Sequence, residues 1–246
     1  MRIAAIIQAR TGSSRMPGKV LKKICNKTVL GHVIDRVIAS KAFNEIIVAT
    51  TDCKQDDEIA LEAQRNGALV FRGSESNVLE RYYFAARKYN VDIIVRITSD
   101  CPLIDPDIIS KLINIFKELH QKGDIDYLSN CLTRTFPRGL DIEIFTIQAL
   151  KNAHDGATKV FELEHVTPYI YQHPEIFTIK NYENNIDLSN YRWTLDTPED
   201  FEFISEVYSA LYSPDRIFKT EDILKLLDEK SELIDINAHI EQKTLF

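Results

Sequence analysis

Short β-branched runs alternate with stretches of helical spacing, and this alternation constrains the chain more than any other feature. Residues 3–9 form a continuous apolar run, which suits a strand covered on both faces. Residues 28–40 follow with Val29, Leu30, Val33, Val37 and Ile38 at helical spacing, and residues 45–50 make a second strand. The pattern continues with a helix over 56–65, a strand at 69–72, a helix over 77–88 and the apolar strand 92–98. Such alternation predicts an α/β fold, a mostly parallel, Rossmann-like doubly wound sheet with helices on both faces. Asp105 and Pro106 then supply an N-cap and a first-turn proline for a helix to about residue 120, with Ile109, Leu112, Ile113 and Phe116 inside.

Regularity weakens over residues 124–182. Strands at 125–129, 140–145 and 176–181 around a helix at 159–173 predict a smaller α+β excursion for binding substrate and for dimerisation. A length of 246 residues suits one sizeable core, so residues 1–246 are expected to form a single domain containing that excursion. Residues 191–195 read as a short strand, and Thr197 with Pro198 opens a helix over 199–211. Weak periodicity over 231–246 predicts a packed or frayed tail.

Thirty-seven acidic side chains against thirty Lys and Arg give a net charge of −7, which argues against a nucleic-acid partner. No apolar run is long enough to span a membrane, and the opening residues lack a secretory apolar stretch. Cys25, Cys53, Cys101 and Cys131 include no Cys-x-x-Cys pair, so neither zinc nor a disulfide framework is indicated. The expectation is a cytoplasmic protein without membrane or nucleic-acid partners.

Positive charge is instead concentrated after the first strand. Residues 9–19 carry Arg10, Arg15 and Lys19 among Gly12, Ser13, Ser14 and Gly18, at the carboxyl end of a buried strand where open α/β sheets bind ligands. Small residues admit backbone N–H groups close to an anion, and the cations match a triphosphate. A solvated turn would share this composition; the position after the first strand favours phosphate. Five residues separate Gly12 from Gly18, and Val20 follows Lys19, so this is not a P-loop; no G-x-G-x-x-G is present either.

Asp100, after Ser99, and Asp196 each stand where a strand meets a proline-bearing loop. Two Asp oxygens with phosphate and water suit Mg²⁺, although turn and helix-terminus roles would also place Asp there.

The stretch Gln8-Ala9-Arg10-Thr11-Gly12-Ser13-Ser14-Arg15-Met16-Pro17-Gly18-Lys19 resembles the opening signature of the cytidylyltransferases that make CMP-Kdo and CMP-sialic acids. It resembles the SpsF-like, spore-coat polysaccharide branch more closely still, over most of residues 1–210. The resemblance implies attack by a hydroxyl of a sugar or sugar acid on the α-phosphorus of CTP, with loss of pyrophosphate, for surface polysaccharide synthesis. It implies Arg15 and Lys19 against the leaving pyrophosphate and Asp100 and Asp196 as Mg²⁺ ligands. Ala9, Arg10, Gly12, Ser13, Ser14 and Ser99 would hold the nucleotide, and relatives of this kind imply a homodimer.

Residues 71–81 resemble the family segment lining the nucleotide pocket, so Arg72 and Ser74 are candidates for reading the pyrimidine, while Glu80 and Arg81 read as a helix-surface pair or a cap interaction. Alternation over 137–143 puts Asp141 and Glu143 on one strand face, beside Arg138, as candidates for sugar hydroxyls. His165, in a segment resembling the SpsF-like branch, is either a substrate contact or proton relay, or a structural helix residue. Two rivals remain: a GT-A-like glycosyltransferase, for which Asp124-Ile125-Asp126 is the Asp-x-Asp match, and a non-catalytic nucleotide-binding protein.

Overall fold

The computed structural model describes residues 1–242, and its first strand, β1 (Ile3–Gln8), lies centrally in a seven-stranded sheet. After it come a small antiparallel ribbon, β2 (Lys23–Ile24) with β3 (Lys27–Thr28), and then β4 (Glu45–Thr51), β5 (Leu69–Gly73) and β6 (Ile93–Thr98). β4 and β6 flank β1 in parallel, and β5 pairs parallel to β4. The chain then reverses. β8 (Glu143–Thr146) runs antiparallel to β6, β7 (Tyr127–Ser129) antiparallel to β8, and β9 (Ile179–Asn181) parallel to β7, giving the order β5-β4-β1-β6-β8-β7-β9.

Period-two alternation along β1 sorts the core into two layers. Ile3, Ala5 and Ile7 pack with α1 (Val29–Ala39), α2 (Asp57–Arg65) and α4 (Pro106–Gln121). Ala4 and Ile6 face α3 (Val78–Lys88) and α5 (Ile147–Gly156). A third cluster, including Leu103, Trp193, Leu195, Phe203 and Tyr208, joins α8 (Pro198–Leu211) and α9 (Thr220–Glu229) to the loops beyond the strand ends. Thr28, Asn77, Asp105 and Thr197 cap their helices through side-chain oxygens, which explains why those starts were readable.

The excursion departs from expectation. The helix predicted over 159–173 is two short ones, α6 (Val160–His165) and α7 (Pro168–Tyr171). Val166 between them has φ 73°, and Pro168 offers no N–H to continue the first helix. Strands 125–129, 140–145 and 176–181 are the shorter β7, β8 and β9, and residues 147–156, for which no element was expected, form α5. Residues 191–195 make one parallel bridge, Arg138 to Arg192, rather than a strand. At the far end α10 (Glu232–Asp235) and the buried Asn237 show a packed segment; residues 243–246 of the predicted tail lie outside the described residues. No described helix is long and apolar enough to cross a membrane.

Between α1 and α8, His32 donates through Nε2 to the Ile24 carbonyl at 2.8 Å, and its ring lies 4.3 Å from that of Tyr208. Burial holds this imidazole below its ordinary pKa of 6.5. The unfolded chain therefore binds a proton that the native state resists, so stability is full above that pH and falls below it. We predict that the urea-unfolding free energy decreases from about pH 7.5 to about pH 5.5, and that His32→Gln reduces the decrease. An unchanged pH slope in the variant would refute this.

Candidate active site

The carboxyl ends of β1 and β6 open into a cavity of about 910 Å³, lined on one side by the loop after β1 and on the other by the excursion. The loop is shaped by its own backbone and by a buried anchor. Ser13 N and Gly18 N donate to the Thr11 carbonyl at 2.8 and 3.0 Å, while Thr11 N and Oγ1 donate to Asp56 Oδ1 at 2.8 and 2.7 Å. Gly18, at φ 68°, turns the chain so that Lys19 points inward.

Lys19 is 8% exposed, and its Nζ donates to Asp100 Oδ2 at 2.8 Å, Asp196 Oδ1 at 2.8 Å and the Leu195 carbonyl at 2.6 Å. Three acceptors satisfy all three ammonium protons. Burial alone would lower this pKa, but Asp100 and Asp196 outweigh it and raise it above the ordinary 10.5. Burial would likewise raise the Asp100 carboxyl, yet Lys19 holds it below the usual range. Both groups are therefore charged at neutral pH.

The two carboxylate segments are distant in sequence and stitched in space: Leu195 N donates to the Asp100 carbonyl at 2.8 Å. Asp196 Oδ2 also meets Arg15 at 2.9 Å and Arg192 at 3.0 Å. Arg192 in turn forks onto Asp200, with Nε to Oδ1 at 2.8 Å and a terminal nitrogen to Oδ2 at 2.9 Å. Asp200 Oδ2 accepts from the backbone N–H of Asp196 and Thr197, within the capping box of α8. Asp100 and Asp196 thus aim hard oxygens at one cationic position, a donor set that suits Mg²⁺ completed by phosphate and water. Among the described residues no group of three or more His, Cys, Asp or Glu is placed to hold a metal ion.

Ala9, Arg10, Gly12, Ser13, Ser14, Ser99 and Arg138 also line the cavity. Arg10 pairs with Glu164 across it at 3.3 Å. Arg72 and Ser74 do not line it. The Arg72 guanidinium is spent on the carbonyls of Thr51 and Cys53 and on Asp57, and Ser74 Oγ accepts from Asn77 N. The two residues expected to read the base thus stand outside this cavity. Arg81, read from the sequence as a surface residue, is 2% exposed and lines the cavity, with one terminal nitrogen on the Ser74 carbonyl and a buried, unpartnered Nε. Its helical spacing from Val78 and Ala85, both buried, was the overlooked signal.

On the excursion side Glu143 is 4% exposed, ion-paired to Arg96, and accepts from Tyr127 Oη at 2.6 Å and Thr167 Oγ1 at 2.5 Å. Asp141 is held bidentately by Arg134 at 2.6 and 2.8 Å. Both carboxylates reach the cavity, and both are already paired with cations of the protein. The Arg138 guanidinium, by contrast, has no ion pair among the described residues.

His165 lines the cavity at the end of α6, and burial lowers its pKa below 6.5. Thr167 N donates to the His165 carbonyl at 2.9 Å, closing a γ-turn around Val166 at φ 73°, ψ −53°. A buried β-branched residue in this conformation is strained, and the strain lies between two cavity residues.

Residues 4–236 match the cytidylyltransferase family. The chain is 33% identical to the spore coat polysaccharide biosynthesis protein SpsF of Bacillus subtilis, over 84% of this chain and 86% of SpsF. The solved structure of a cytidylyltransferase from Leptospira borgpetersenii serovar Hardjo-bovis is 38% identical, with a TM-score of 0.90 covering 99% of this chain and 100% of that one. CMP:2-keto-3-deoxy-manno-octonic acid synthetase, solved in complex with CTP, shares the fold at 19% identity, a TM-score of 0.65 and coverage of 85% and 99%. Matched over nearly all of its length, and with its strand-end loop and paired carboxylates in one cleft, the chain belongs to the cytidylyltransferase family of CTP-dependent nucleotidyltransferases.

Proposed function

We propose that the enzyme transfers CMP from CTP to a hydroxyl of a sugar or sugar acid, with Mg²⁺, and so supplies a surface polysaccharide. The observation that carries this reading is the meeting of Lys19, Arg15, Asp100 and Asp196 at one end of a cavity of about 910 Å³. That volume lies at the upper end for small-molecule sites, which range over roughly 300–1,000 Å³, and suits a nucleotide beside a second substrate. The likeness to a spore coat polysaccharide protein supports the pathway class.

The acceptor hydroxyl releases its proton to solvent as its oxygen bonds to the α-phosphorus, while the bond from that phosphorus to the bridging oxygen breaks and pyrophosphate leaves. Arg10 and the small residues Gly12, Ser13 and Ser14 hold the phosphates; Ala9 and Ser99 line the nucleoside side, and Arg81 lines the same cavity. Arg15 and Lys19, borne on the loop, exchange carboxylate for phosphate and stabilise the leaving group. Asp100 and Asp196 are the residues that would hold Mg²⁺, and a metal there would supply positive charge to polarise and screen the phosphates.

Arg138 and His165 contact the acceptor; Glu143 and Asp141 act through Arg96 and Arg134, which they orient. We further read the enzyme as a cytoplasmic homodimer joined through residues 124–182, where Val160 and Ile176 are 79% and 52% exposed. A glycosyltransferase reading is disfavoured because Asp126 is engaged in accepting from Thr178 N at 2.9 Å, and neither Asp124 nor Asp126 lines the cavity.

Pyrophosphate release from each of the four nucleoside triphosphates, with Mg²⁺ and a panel of sugars, sugar acids and sugar phosphates, tests the proposal. Release is expected from CTP alone and only with an acceptor. Consumption of a CMP-sugar with CTP untouched would mean a glycosyltransferase.

A further inference from the structure

Three cations meet Asp196, and they are not equivalent. Lys19 takes Oδ1, while Arg15 and Arg192 share Oδ2. Lys19 and Arg15 come from the loop after β1, where a bound phosphate gives each another anion. Arg192 has no such freedom: its fork also holds Asp200, a fully buried carboxylate that would be left unpaired if the guanidinium moved. Arg192 therefore keeps Oδ2 occupied, and Oδ1 is the oxygen that becomes available once Lys19 turns to a phosphate.

Arg192 is itself gripped by the last described residues of the chain. Asn237, 3% exposed, donates through Nδ2 to the Arg192 carbonyl at 2.9 Å and to Asp200 Oδ1 at 3.0 Å. Gln242 accepts through Oε1 from an Arg192 terminal nitrogen at 2.8 Å and lines the cavity. One amide fixes the backbone of Arg192 and its anchor, and the other fixes the open side of the guanidinium fork.

We propose that Arg192 is a positioning residue that presents Asp196 to the metal through a single oxygen, and that the C-terminal segment, through Asn237 and Gln242, completes this support. This rests on the metal role given to Asp196 above. A segment that merely packed against α8 would stabilise the fold without discriminating between ligands.

Calorimetric binding of CTP to the full-length protein, with no acceptor, separates the two. Titrations are run in Mg²⁺ and in EDTA, for wild type, Asn237→Ala, Gln242→Ala and Gln242→Glu. Groups that orient metal ligands are typically worth roughly 10- to 100-fold in metal affinity; we expect the lower end, about tenfold weaker Mg²⁺·CTP binding in Asn237→Ala and about threefold in Gln242→Ala. Binding in EDTA should be unchanged, and Gln242→Glu, which restores an acceptor for Arg192, should recover the loss. Gln242 is exposed, so its variants remain informative if Asn237→Ala folds poorly. Equal weakening in Mg²⁺ and EDTA, or no weakening in either Ala variant, overturns the proposal. Wild-type protein that binds no CTP under either condition overturns the functional reading, and this inference with it.

Discussion

Asp100→Asn is expected to lower kcat by about 10³-fold, as the loss of a group placed to stabilise developing charge commonly does, while the protein stays folded. The isosteric amide keeps the shape of the site but cannot act as a charged oxygen ligand. Folding should survive because Lys19 Nζ retains Asp196 Oδ1 and the Leu195 carbonyl, and because the joint between the segments uses the Asp100 backbone carbonyl. The comparison is kcat from pyrophosphate release against the thermal unfolding midpoint of the same preparation. Undiminished turnover would remove Asp100 from the mechanism; a collapse of the midpoint would mean its role is structural.

The second large effect is on stability. Gly139 has φ 104°, and a Cβ built there would lie 2.5 Å from both C and O of Trp193 and 2.7 Å from Thr194 N. Backbone, rather than a flexible side chain, is in the way. Arg138 N and O pair with Tyr191 O and Trp193 N on either side of this contact, so the chain carrying Asp196 is pressed against Gly139. Gly139→Ala should cost about 3 kcal/mol or more and lower activity together with stability. Gly123→Ala is the control: at φ 75° with nothing within 4 Å, it carries only the backbone penalty of about 1–2 kcal/mol. Urea unfolding of both variants decides it; equal losses would mean the close approach at Gly139 is unimportant.

The sequence made the parallel half legible because its strands announce themselves as apolar runs, and three of the four are followed by helices with a side-chain cap. In a parallel sheet the carboxyl ends share an edge, so the loop after β1 and Asp100 after β6 could be placed together before any coordinates. Asp196 was readable from its strand-end context, although no strand forms there; the single bridge from Arg192 to Arg138 and the hydrogen bond from Leu195 to Asp100 do that work.

Other parts depended on partners that sequence spacing does not reveal. Arg72 and Arg81 flank the same turn, and only the carbonyls of Thr51 and Cys53 decide that the first is spent. Glu143 looked available for sugar hydroxyls because Arg96, Tyr127 and Thr167, from three separate elements, are brought to it by the reversed strand β8. The support of Arg192 by Asn237 is likewise tertiary and propensity carries no trace of it, whereas the break at Val166 left a local signal in Pro168.

The pairing of Arg10 with Glu164, Arg15 with Asp196 and Lys19 with both Asp100 and Asp196 bears on how a ligand arrives. Cations that looked like an attracting patch are cancelled at short range, so little field extends beyond a Debye length of about 8–10 Å. On a chain of net charge −7, a distant polyanion is not drawn in by long-range steering. For these three cations recognition begins at contact, where phosphate oxygens compete with carboxylates for the same N–H donors, while Arg138, also lining the cavity, has no ion pair among the described residues.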